Sequence, residues 1–279
     1  MNKYNRANAS TDTTTDRYPV EVMSDGAGDH QRLDDVAVES PLEVRFAGKP
    51  TTVLMRTPGN DEELVLGFLF GEGIITSAAD VAAFDRPIDL DDALTGNVID
   101  VHFAGSFRPA GPDRMFLSSA SCGACGKRTI ASLAVNAMPV SSKFSISRSV
   151  LGSLPARLRK AQPTFALTGG VHASGLFTSD GELIALREDV GRHNALDKLI
   201  GWTLAEGKLP LDERVLLLSG RVSYELVQKA VMASIPILAA VGAPSSLAIE
   251  IAREFNVTLV GFLRTSGMNV YIDSGRIRP

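Results

Sequence analysis

From Arg214 onward, short and wholly apolar runs alternate with helix-length segments, and this alternation decides what kind of fold the chain can adopt. Val215-Leu216-Leu217-Leu218 is a continuous apolar strand, and Ser223 caps a helix carrying Leu226, Val227, Ala230 and Val231. Ile235 to Val241 is a second strand, Ser245 or Ser246 opens a helix to about Phe255, and Val257 to Leu263 is a third strand. Strands without a polar face, separated by helices, belong in a parallel sheet covered on both sides.

Ligands of such sheets bind beyond the carboxyl ends of the strands. Those ends read Ser219-Gly220-Arg221, Gly242-Ala243-Pro244-Ser245-Ser246 and Phe262-Leu263-Arg264-Thr265-Ser266-Gly267. Arginines, hydroxyls and glycines on one sheet edge suit a phosphorylated ligand, because a guanidinium forks phosphate with two parallel hydrogen bonds. A Walker-type Gly-x-x-x-x-Gly-Lys-Ser/Thr is absent, which excludes a P-loop nucleotidase.

The first half is less regular. Residues 1–34 read as a disordered leader, since Ser10-Thr11-Asp12-Thr13-Thr14-Thr15-Asp16 offers no apolar period to offset its ordering entropy. Leu42, Val44 and Phe46 alternate with polar residues in a strand, and Thr51 to Arg56 is its hairpin partner. Asn60 with Glu63 predicts a capped helix start, and Asn97 to Phe103 another strand. Gly105 to Ser121 reads in its later part as a mobile loop, and Lys127 to Ala137 as a helix ended by Pro139. A composition change over Ser141 to Ser149 marks a candidate boundary between an N-terminal domain, 35–142, and a C-terminal one, 143–279. Beyond it, Phe165 to Thr168 reads as a strand, Glu182 to Arg187 as another, and Glu188-Asp189 as a helix start.

The chain's two cysteines fall in Ser121-Cys122-Gly123-Ala124-Cys125-Gly126, a small-residue segment where a thiol is reachable, so thiol chemistry or metal binding takes precedence over packing. Structural zinc needs four ligands, and His30, His102, His172 and His193 are scattered without ligand spacing. A thioredoxin-like oxidoreductase would place the pair between an apolar strand and a helix, whereas Ser118-Ser119-Ala120-Ser121 precedes it. Sulfur relay needs a nucleophilic thiolate on a segment able to visit two partners, and Arg114, Lys127 and Arg128 would favour the thiolate. The residues alone leave redox work and sulfur relay open. The net charge of −4 gives no support for nucleic-acid binding. No segment reaches the ~18 apolar residues of a membrane span, and no signal peptide is visible. The expected setting is therefore the cytoplasm.

Several motifs occur together: Met55-Arg56-Thr57-Pro58-Gly59-Asn60-Asp61-Glu62-Glu63-Leu64, the cysteine motif, Thr168-Gly169-Gly170-Val171-His172-Ala173-Ser174-Gly175, Arg187-Glu188-Asp189-Val190-Gly191-Arg192-His193-Asn194, Leu218-Ser219-Gly220-Arg221 and Gly261-Phe262-Leu263-Arg264. This set resembles the formate dehydrogenase accessory sulfurtransferase family (FdhD/NarQ) over about residues 40–279. The resemblance implies a sulfurtransferase that takes persulfide sulfur from a cysteine desulfurase. The acceptor would be the bis(molybdopterin guanine dinucleotide) molybdenum cofactor destined for the formate dehydrogenase apoenzyme. It implies that Cys122 carries the persulfide and that Cys125 assists or resolves. The cofactor-binding segment falls on Phe262, Leu263, Arg264, Thr265, Ser266 and Gly267. The implied fold is α/β, with a small β-rich N-terminal domain and a cytidine-deaminase-like C-terminal domain whose sheet is mixed and partly parallel. Deaminase chemistry is not expected, because His172-Ala173-Ser174 lacks the catalytic Glu and no Pro-Cys-x-x-Cys follows. His172 is read as a turn or cofactor-edge residue. Arg187, Asp189, Arg192 and His193 are read either as a solvated helix start or as lining the cofactor. A homodimer, a cofactor-holding chaperone without sulfur transfer, and a thiol-disulfide oxidoreductase stay open.

Overall fold

The computed structural model describes residues 14–24, 29–87, 95–105 and 137–279. The cysteine motif, the loop before it and the helix expected from Lys127 lie outside the described residues. Strands β1 (Thr15–Val22) and β2 (His30–Ala37) pair antiparallel, with Arg17 opposite Asp35 and bonded to it at 3.1 Å. Over residues 15–22 and 30–34 this differs from the reading of 1–34 as a disordered leader, and residues 1–13 of that reading lie outside the described residues. Tyr18, Val20 and Val22 do alternate with polar residues and Pro19, a short period that the low-complexity run before it obscures.

Strands β3 (Ser40–Phe46) and β4 (Lys49–Arg56) form the expected hairpin, and the chain then enters α1 (Asp61–Gly71). Asn60 precedes α1 in a left-handed conformation (φ 55°) and makes no side-chain cap, unlike the expected capping box. Asp61 serves the helix start instead, its carboxylate gripped by the buried Arg56 guanidinium at 2.9 and 3.1 Å. Strands β5 (Val81–Asp85) and β6 (Val98–Phe103) complete a four-stranded sheet in the order β4-β3-β6-β5.

The short strand β7 (Ile146–Ser147) leads into α2 (Arg148–Lys160), capped by Ser147, and then α3 (Pro163–Thr168). The strand expected over 165–168 is thus a helix. Pro163 presets its first turn, and the distant Glu188 carboxylate accepts from the Thr164 and Phe165 N–H groups, each at 2.9 Å. Strands β8 (His172–Phe177) and β9 (Leu183–Asp189) follow, and α4 (Arg192–Ala205) starts after Gly191. Glu188 and Asp189 therefore end a strand; the helix expected to start there begins three residues later, where the pairing with β8 has run out.

The C-terminal part matches the alternation: β10 (Val215–Leu218), α5 (Tyr224–Met232), β11 (Ile237–Ala240), α6 (Ser246–Glu254) and β12 (Thr258–Arg264), closed by β13 (Gly267–Ile272) and β14 (Ile277–Arg278). Strands β10, β11 and β12 are parallel, while β8, β9 and β13 add antiparallel edges, giving the mixed order β13-β12-β11-β10-β8-β9. Leu216 and Leu218 of β10 join the core under α4 and α5, and Val215 and Leu217 join the core under α2. Both faces are covered, which is why no polar residue interrupts the strand.

The larger core also includes Leu42, Leu54, Leu64 and Leu69, so it runs across residue 142. Its tightest contact is between α1 and α4. A Cβ on Gly67 would lie 1.9 Å from the Asp197 carbonyl oxygen, and one on Gly201 1.8 Å from that of Glu63. Backbone occupies both places and cannot yield as a side-chain tip would. Gly201→Ala should lower the unfolding free energy by at least ~3 kcal/mol, read from the urea midpoint at unchanged slope.

Candidate functional site

Beyond their last ladder pairs, β10, β11 and β12 are held together by main-chain bonds. Gly242 N–H donates to Gly220 O at 3.1 Å, Val222 N–H to Ala243 O at 3.0 Å and Phe262 N–H to Gly242 O at 3.0 Å. Side chains are excluded from the middle of this edge. A Cβ on Gly242 would lie 2.6 Å from Gly220 O, and one on Gly220 3.1 Å from His172 Nδ1. The edge is therefore a shelf of bare backbone.

Antiparallel β8 begins at this edge, so His172 stands beside Gly220, and its pairing partner Asp189 leads directly into α4. Three helix N-termini gather here, after Gly191, Ser223 and Ser245. Only α6 has a side-chain cap, Ser245 Oγ accepting from Ala248 N–H at 3.3 Å. Ser223 Oγ instead donates to Glu225 at 2.9 Å and meets His193 Nε2 at 3.1 Å. Uncapped N–H groups and aligned peptide dipoles favour an anion.

Arg192, Arg221 and Arg264 supply positive charge. Arg192 Nε is buried with no hydrogen-bond partner among the described residues, whereas Arg264 Nη1 is committed to the carbonyls of Val241 (2.7 Å) and Leu263 (2.8 Å). The structure places Phe262, Arg264, Thr265 and Ser266 on the exposed rim, and Gly267 opens β13. Leu263 is wholly buried under α2, so it offers this edge only its backbone. Burial, then the Arg192 guanidinium, His193 and Arg221, push the His172 imidazole below its ordinary value against an opposing pull from Asp189. A neutral ring among cations marks a site with unused positive potential.

Asp189 holds this arrangement in place from beneath. Its carboxylate, fully buried, accepts from Thr57 N–H (3.1 Å), Gly191 N–H (2.8 Å) and Asn194 Nδ2 (3.0 Å), and pairs with Lys198 Nζ at 2.8 Å. Lys198 Nζ also donates to Thr57 O at 2.7 Å. Burial raises the Asp189 carboxyl above its ordinary range, and the Lys198 ammonium and the N–H donors oppose that rise. A second buried pair, Lys229 with Asp197 at 2.6 Å, packs behind it. Sequence reasoning named Arg56 only as a strand end and motif member and missed Lys198 and Lys229; for the two lysines the available signal was charge inside helical runs that are otherwise apolar, as in Leu196-Asp197-Lys198-Leu199. Arg187, at the other end of the motif, forms a bidentate pair with Glu63 at 2.5 and 2.8 Å, away from the shelf.

Residues 37–278 match the model of the FdhD/NarQ family. The chain is 50% identical over 257 residues to a sulfur carrier protein FdhD of Nocardia farcinica, covering 90% of this chain and 91% of the relative. A sulfur carrier protein FdhD of Saccharolobus solfataricus is 42% identical over 248 residues, covering 88% and 91%. In fold, the chain is similar to a solved structure from Desulfotalea psychrophila, described as a candidate formate dehydrogenase accessory protein, with TM-score 0.75 and 24% identity over 95% of this chain and 100% of that one.

Asp189→Asn leaves Lys198 buried without a counter-charge and should cost about 3–5 kcal/mol of stability, measured by chemical unfolding. His172 should titrate below ~6.5 in NMR spectra of the folded protein. Because its folded value is depressed, its contribution to stability is present above the ordinary histidine value and is lost as pH falls through it. His172→Asn should therefore flatten the acid side of the stability profile.

Proposed function

The chain belongs to the FdhD/NarQ family, and from that membership we propose that it is a sulfur carrier that moves persulfide sulfur through Cys122 to a guanine-nucleotide-bearing molybdenum cofactor. The observation that carries the cofactor half of this reading is the cationic, glycine-floored edge of the six-stranded sheet. Its unpartnered Arg192 Nε and its main-chain cradle fit a nucleotide diphosphate. The bis(molybdopterin guanine dinucleotide) cofactor is the substrate here, as sulfur acceptor, and the segment from Phe262 to Gly267 forms part of its seat. The six-stranded sheet with its helices is the unit that corresponds to the cytidine-deaminase-like domain in this reading.

The donor is a cysteine desulfurase bearing a cysteine persulfide. The Cys122 thiolate attacks the outer sulfur, the donor's S–S bond breaks, and the desulfurase cysteine leaves as thiolate; Cys122 now holds –S–SH with no net oxidation. Release as sulfide requires two electrons. The Cys125 thiolate supplies them by attacking the Cys122 sulfur, closing a Cys122–Cys125 disulfide as hydrosulfide departs, and a cellular dithiol reductant resets the pair. The recipient of the sulfurated cofactor is the formate dehydrogenase apoenzyme, in the cytoplasm.

Incubation with a desulfurase and cysteine should add one sulfur to Cys122, read by mass spectrometry, and Cys122→Ala should abolish both the adduct and restoration of formate dehydrogenase activity. Full restoration by Cys122→Ala would leave a cofactor-holding chaperone. Dithiol–disulfide turnover of a protein substrate without an adduct would leave an oxidoreductase. Cys125→Ala should retain the adduct and lose its release.

A further inference from the structure

The six-stranded sheet has a second edge, at the amino ends of β10, β11 and β12, and a groove of about 680 Å³ opens there. Pro210 lies in it ahead of β10, and Ser234 ahead of β11. Phe70 and Ile75, from α1 and the turn that ends it, line it together with Val231 and Met232 of α5. Among the described residues of the lining, Asp212 alone is charged. The groove is apolar and lies away from the cationic shelf, which occupies the carboxyl ends of the same strands.

Its walls are fixed before anything enters. Val140 N–H donates to Phe255 O at 2.9 Å, and Val140 O accepts from Asn256 Nδ2 at 2.7 Å and Arg276 Nη2 at 3.3 Å. Arg276 is 3% exposed and spends its other donors on the carbonyls of Ser142 (3.2 Å) and Asn256 (2.7 Å), binding the 140–142 stretch to the body. Ser234 is held in the left-handed region (φ 61°), a conformation that persists only where the surroundings impose it. On the lip, Met138 is 84% exposed. An unbranched, polarizable side chain standing over a preformed apolar cleft suits contact with another protein, because it adapts its shape while the walls give up little freedom.

The occupant follows from where the chain leads. Ala137 lines the groove and stands twelve residues after Cys125, a span of at most ~41 Å at ~3.4 Å per residue. A protein seated here has the thiols within reach and leaves the shelf free for the acceptor. We infer that the groove is the docking seat of the sulfur donor, a protein bearing a cysteine persulfide that offers the groove an apolar side chain, with no charged patch. This rests on the reading above that Cys122 takes its sulfur from such a donor.

Loading of Cys122 on the full chain is followed by mass spectrometry with two donors: a desulfurase supplied with cysteine, and glutathione persulfide, which needs no docking seat. Met138→Glu should raise the KM for desulfurase-driven loading about 10-fold or more at nearly unchanged kcat. Loading by glutathione persulfide should not change, and Met138→Leu should load as the natural chain does. An apolar contact also predicts a KM that moves less than about 2-fold between ~0.05 and ~0.5 M salt. Unfolding midpoints equal to that of the natural chain exclude a folding defect.

Normal desulfurase-driven loading of Met138→Glu overturns the docking seat. Impaired loading from both donors overturns it too, and gives the groove to the chain's own cysteine segment. A changed mass by light scattering overturns it in favour of a second copy of the chain. A steeply salt-dependent KM overturns the apolar chemistry. A natural chain loaded by glutathione persulfide alone overturns the donor while the carrier reading stands, and loading by neither overturns that reading as well.

Discussion

Gly67 and Gly201 let α1 and α4 touch backbone to backbone, and the remaining architecture is organised around that contact. A side chain on either glycine would hold the helices apart and move the N-terminal sheet away from the six-stranded one. With the helices in contact, the turn after β4 reaches the start of α4. Met55 O accepts from Asn194, Thr57 N–H donates to Asp189 and Thr57 O accepts from Lys198. The peptide carrying Arg192 and His193 is thereby fixed at both ends, so the cations at the sheet edge occupy set positions instead of sampling a loop.

Such a joint places charge deep inside the protein. Lys198 is 1% exposed and Asp189 fully buried, and Lys229 on α5 with Asp197, the neighbour of Lys198, repeats the pattern. Buried pairs of this kind add little net stability over apolar packing, but each demands its partner in one geometry. Asp189 has four donors to satisfy, and no displaced position of the β4 turn or of α4 satisfies them all. Specificity of arrangement, more than strength, is what these groups contribute.

The parts of this fold legible in the sequence were those whose signal is local. The apolar runs of β10, β11 and β12 announce two covered faces without help from elsewhere, and the residues that end them are legible with them. The resemblance carried the family further than spacing could. What stayed hidden depends on partners far along the chain. The bond from Thr57 N–H to the Asp189 carboxylate spans 132 residues, and the helix over Pro163–Thr168 takes its cap from Glu188. The hairpin at Thr15–Ala37 was masked by the low-complexity run that precedes it. The cysteines, whose scarcity and setting point to thiol chemistry without choosing one, lie outside the described residues.

A sheet edge made of main chain has an evolutionary asymmetry built into it. Gly220 and Gly242 present peptide groups that any residue would carry, yet Gly242 has backbone within 3 Å of where a side chain would begin. Single substitutions can therefore damage the floor but hardly refine it. Variation along this edge is left to the rims, where Arg221 and Phe262 are exposed to solvent. An engineer altering this edge has exposed side chains at its rims and a platform between them that is best left alone.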